Sequence, residues 1–97
     1  MSDTNFTDFK ETLVVLSTLH VPAEELSALR EAIEEGRLIG SLEPYRTCLW
    51  AGEVFSIKGQ YEVARSIILS AHRQGADYIA FDSSTEVHPD LSIFIRT

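Results

Sequence analysis

The 97 residues suffice for one domain with a modest core, and 44% hydrophobic against 24% charged content is that of a folded chain, not a disordered one. Fifteen acidic against eight basic residues leave a formal charge of −7, which opposes direct nucleic-acid binding and attachment to an anionic membrane and favours a basic partner. A lone cysteine, Cys48, excludes an internal disulfide, and the polar start MSDTNFTDFKET lacks the apolar stretch of a signal peptide, so the expected setting is cytoplasmic.

Residues 1–11 show little periodicity and are expected to form a loosely held arm ahead of a single domain over 12–97. TLVVLSTLHV (12–21) is aliphatic, β-branched and short, and predicts a buried strand. Pro22 suits the first turn of a helix, Glu24 and Glu25 suit its positive end, and Gly36 suits its stop. Leu26, Leu29 and Ile33 share one side of this helix. Glu24, Glu31 and Glu35 take the opposite side, the last two within about 20° of the first, with Glu25 and Glu34 beside them.

LIGSLEP (38–44) reads as a connector, and YRTCLWAGEVFSI (45–57) as two strands folded about Ala51-Gly52-Glu53. A second helix is expected over about 60–74, with Val63, Ala64, Ile67, Ile68 and Ala71 on its buried arc and Gly75 as its stop. ADYIAFD (76–82) and LSIFIRT (91–97) read as two further strands. The order is therefore β-α-β-β-α-β with an extra C-terminal strand. This predicts an α+β, ferredoxin-like domain with two helices on one face of a mostly antiparallel sheet.

Two segments carry a family resemblance: LVVLSTLHVPAEEL (13–26), and ARSIILSAHRQGADYIAFDSSTEVHPDLSIF (64–94). Together they resemble a small family of uncharacterised proteins encoded on bacterial plasmids, phages and genomic islands, with an LSTxH…GADYIxFD pattern. The residues between them, 36–58, carry no such likeness. The family tends to sit near antirestriction and toxin–antitoxin genes. The resemblance implies a mobile-element setting, where proteins of this size include anti-CRISPR inhibitors. It supplies no catalytic residues.

The acidic helix offers a DNA-mimicking face. Steps of seven and four residues correspond to rises of about 10 and 6 Å, the shorter close to the spacing of phosphates along a strand. The plainer reading is the solvated side of a surface helix, softened by Arg30 and Arg37. In DSSTEVHPD (82–90), Asp82, Ser84, Glu86, His88 and Asp90 alternate. The glycine and distal glutamate of a calcium loop are missing, and an Asx turn leading to Pro89 explains the composition as well. No phosphate-binding glycine loop and no H-E-x-x-H or G-x-S-x-G motif occurs.

These observations lead to an expected non-enzymatic inhibitor, without cofactor or metal, that sets an acidic surface against the basic channel of a host defence or nucleic-acid-handling protein. The expected contact residues are Glu24, Glu25, Glu31, Glu34, Glu35, Asp82, Glu86 and Asp90. A rival is an antitoxin-like or structural module, such as a homodimer, pairing through an open sheet face that carries aromatics such as Tyr45, Trp50 and Phe55. A weaker rival is a small metal-dependent enzyme built on Asp82, Glu86 and His88, and a nucleophilic Cys48 is weaker still.

Overall fold

The structure is a computed structural model that describes residues 11–52 and 61–94. In chain order it contains β1 (Leu13–Ser17), α1 (Ala23–Glu34), β2 (Gly40–Glu43), β3 (Arg46–Trp50), α2 (Glu62–Arg73) and β4 (Tyr78–Asp82). A single 3-10 turn, Thr18–His20, follows β1. The strands form one sheet in the order β1-β4-β3-β2. β4 is parallel to β1 and antiparallel to β3, and β2 and β3 form an antiparallel hairpin. This is an α+β fold with the ferredoxin-like element order.

Alternation along the strands decides which face carries the helices. Val14, Leu16, Ile79, Phe81 and Leu49 point to one side, where they pack with Leu29 and Ala32 of α1 and Ala64 and Ile68 of α2. Both helices therefore cover the same face. α1 lies over the hairpin side of the sheet and α2 over β4. At Gly40 the approach is close: an added Cβ would strike the Cys48 carbonyl and sit 3.0 Å from Ile33.

Both helices end as their glycines predict. Gly36 and Gly75 adopt φ of +78° and +98°, and each closes a Schellman motif. Arg37 N–H donates to Ala32 O in one, and Ala76 N–H donates to Ala71 O in the other. The inward arc of α2 is the expected one except at Val63: Ala64 and Ile68 are buried and Ile67 and Ala71 pack against the core, while Val63 is half-buried outside it.

Three segments differ from their expected forms. The first strand stops at Ser17, because the Ser17 hydroxyl accepts from Leu19 N–H and turns the chain into the 3-10 helix. The connector 38–44 holds a strand of its own: the hairpin turns at Pro44-Tyr45, and β3 is its second arm, not its first. The expected turn at Ala51-Gly52-Glu53 reaches, with the arm beyond it, into 53–57, which lie outside the described residues. The extra C-terminal strand does not form over Leu91–Phe94, and 95–97 lie outside the described residues. Its backbone is drawn elsewhere, as Phe94 N–H donates to Leu19 O and Ser92 O is held by His20.

Candidate functional site

On α1, Glu24, Glu31 and Glu34 are exposed, spread over about 80° of the helix, and have no ion-pair partner among the described residues. Arg30 does not neutralise them. Its guanidinium turns to the hairpin, donating to Glu43 O at 3.0 Å and Thr47 Oγ1 at 2.8 Å. Glu35 is exposed but paired with Arg37 at 2.7 Å. The outer side of α1 is thus a stretch of unpaired carboxylates whose nearest helix cation faces inward.

Glu25 leaves that group. It is 8% exposed, and its Oε1 accepts from Ala64 N–H at 2.9 Å while Oε2 accepts from Val63 N–H at 3.4 Å. These are orphan donors of the first turn of α2, where Tyr61 supplies no side-chain cap. A carboxylate there also meets the positive end of the helix. The signal was present in sequence: Glu25 shares the i, i+4, i+7 row with buried Leu29 and Ala32.

Asp82 also departs from the expected contact set. It is nearly buried, and its Oδ1 accepts from Ser84 N–H at 2.8 Å and Ser84 Oγ–H at 2.6 Å, the geometry of an Asx turn. Oδ2 accepts from Arg46 Nε at 2.7 Å across the sheet. The Ser84 hydrogen bonds, then Arg46, hold its carboxyl down at about 2. Glu86 and Asp90 are exposed in the following segment. Among the described residues no three His, Cys, Asp or Glu side chains converge on a metal-sized site, so Asp82, Glu86 and His88 are not brought together.

His20, which carried no assigned role, is the anchor of that segment. It is 1% exposed. Its Nδ1–H donates to Ser92 O at 2.9 Å, and its Nε2 accepts from His88 N–H at 2.7 Å. The neutral tautomer protonated at Nδ1 meets both demands. The partners lie 68 and 72 residues away, so no local pattern announces them.

The sheet face on which no described helix packs carries Leu13, Val15, Cys48, Trp50, Tyr78 and Ala80, with Arg46 and Asp82 at its polar end. Leu13 is 46% exposed and Trp50 37%. Tyr45 stands at the hairpin turn and is largely exposed, whereas Phe81 belongs to the helix-side core. Phe55 lies outside the described residues. Burial pushes the Cys48 thiol up, the reverse of the shift that makes a reactive thiolate.

Among the described residues no helix is long and apolar enough to cross a membrane. No protein-family model, curated protein or solved structure matches the chain.

Proposed function

We propose that this chain is a small non-enzymatic binding protein, of mobile-element origin and acting in the cytoplasm, that presents an acidic helix to the basic nucleic-acid-binding surface of a host defence or nucleic-acid-handling protein and so inhibits it. One observation carries the reading: Glu24, Glu31 and Glu34 lie exposed and unpaired along α1 while Arg30 is tied to the hairpin beneath. The formal charge of −7 adds long-range attraction for such a surface. Glu86 and Asp90 would extend the acidic contact; Glu25 and Asp82 are occupied within the fold. The test is capture of host proteins by immobilised chain across a salt series. A charge mimic retains basic nucleic-acid-binding proteins at low salt, releases them as salt rises, and competes with DNA or RNA for them. Retention that is indifferent to salt and to added nucleic acid would reject it.

The exposure of Leu13 and Trp50 on the sheet face away from the two helices supports a second reading, an antitoxin-like or structural module that pairs through that face. Its complexes would persist at high salt and be lost on Trp50→Ala.

A further inference from the structure

The segment that follows β4 is tied down at few points. At one end stands the Asx turn of Asp82, and at the other Phe94 N–H donates to Leu19 O. Between them, among the described residues, the hydrogen bonds that join 86–92 to the rest of the fold both end on the His20 ring: Ser92 O accepts from Nδ1–H at 2.9 Å, and His88 N–H donates to Nε2 at 2.7 Å. A carbonyl only accepts and a backbone N–H only donates, so this arrangement requires a neutral ring carrying its proton on Nδ1. A second proton would go onto Nε2 and point an N–H at the N–H of His88. The pattern repeats one step along the segment. Asp90 N–H donates to His88 Nδ1 at 3.1 Å, again a lone pair that a proton would take.

We propose that His20 is a pH-sensitive latch: the neutral ring holds residues 86–92 against β1 and α2, and the protonated ring lets go at His88, so that the segment lifts away while the sheet and helices stay folded. The ring is 1% exposed, and a charge gained there reaches water only if the segment moves. Protonation removes a bond that only the held form makes. Protons therefore favour the released form, and the hold weakens as pH falls through the ordinary histidine range. The surroundings do not oppose this. Glu62 of α2 lines the hollow that His20 shares with Ser92 and Phe94, Glu25 of α1 holds Val63 N–H at the wall of that hollow, and Asp90 lines the neighbouring hollow with His88. All three are acids, so a proton taken up by either ring meets no like charge from them. Release would open the apolar floor of the neighbouring hollow, Val14, Leu16 and Ile67, on which Leu91 now borders.

The inference is independent of the proposed inhibitory role, and its test needs no host partner. Proton–nitrogen NMR of the full chain is followed from about pH 7.5 to about pH 5, which brackets histidine titration. The His88 and Asp90 amide signals should shift together, and the heteronuclear NOE of residues 85–91 should fall, while the Ile68 and Ile79 amides of α2 and β4 keep their positions. Asp82 holds its charge down to about 2, so its Asx turn and its pair with Arg46 persist through this range. His20→Gln keeps a donor and an acceptor but does not titrate. In that variant the Asp90 amide should still follow His88, but the NOE of 85–91 should stay high at about pH 5. The unaltered chain carries the main readout, so the test does not depend on the variant folding. An NOE of 85–91 that is constant across the range overturns the proposal. So does release that comes only with shifts at Ile68 and Ile79, or a His20→Gln chain that loosens over the same pH range as the wild type.

Discussion

The carboxylate of Glu25 on α1 accepts the backbone N–H of Ala64 on α2 at 2.9 Å. One acidic side chain therefore closes the exposed start of the second helix and fixes how the two helices meet. Glu25→Ala leaves two orphan donors in a buried position and should cost about 1–2 kcal/mol in urea unfolding. Glu25→Gln keeps one acceptor oxygen and should lose less. Equal stability of all three proteins would show that the cap is not a folding contact.

His20 holds the C-terminal segment at two points, Ser92 O through Nδ1–H and His88 N–H through Nε2. His20→Ala removes both bonds and empties a buried site, which should cost about 2–3 kcal/mol. Limited proteolysis gives the local readout. Cleavage within 83–93 should accelerate well beyond what the global loss of stability produces, because the sheet does not depend on that segment.

Much of this fold can be read along the sequence because local rules decide it. Gly36 and Gly75 mark helix ends through left-handed backbone, and the arc of α2 follows from a 3.6-residue period. That reading misses the β2–β3 hairpin for a physical reason. Pro44-Tyr45 makes its reversal inside a stretch that reads as a connector, because β2 is only the four residues GSLE, too short for alternation to announce a strand. No strand forms over 91–94, although LSIFIRT has the alternation of one, because the hydrogen bonds of 92 and 94 go to His20 and Leu19, far away in sequence. At the candidate site, exposure of Glu24, Glu31 and Glu34 follows from helix geometry alone. The withdrawal of Arg30 requires knowing that Thr47 lies beneath it.

Asp82 links acid stability to one carboxyl. Its folded value is about 2 against an ordinary 3.8, so the group favours the native state fully above about pH 4. That contribution fades as pH falls from 3.8 towards 2 and is gone below it. Asp82→Asn cannot titrate and loses the ion pair with Arg46, so it should be less stable than wild type at pH 7. The gap between the two proteins should narrow through this acid window. A gap unchanged between pH 6 and pH 2 would mean that the Arg46 and Ser84 contacts do not depend on the charge.

The acidic face of α1 can be changed at little structural cost, which makes its role separable from folding. Glu31 and Glu34 are exposed in the second half of the helix, where the negative end of the dipole disfavours carboxylates and favours cations. Reversing both to Lys should therefore leave the melting temperature unchanged or slightly raised, within about 0.5 kcal/mol. Glu24 belongs to the first turn, where reversal would act against the dipole, so it is better changed to Gln. Glu31→Lys with Glu34→Lys moves the formal charge from −7 to −3, two reversals of two charges each. Against a basic partner surface these substitutions set like charges face to face, a penalty of several kcal/mol at contact. Capture of the partner at low salt should fall below detection, and adding Glu24→Gln should deepen the loss. The matched control is Glu11→Lys with Glu43→Lys, which makes the same change in total charge at exposed positions away from α1 and from Glu86 and Asp90. If both double variants lose binding equally, attraction is a matter of total charge. If neither does, α1 is not the contact, and Trp50 and Leu13 on the sheet face away from the helices are the residues to change next.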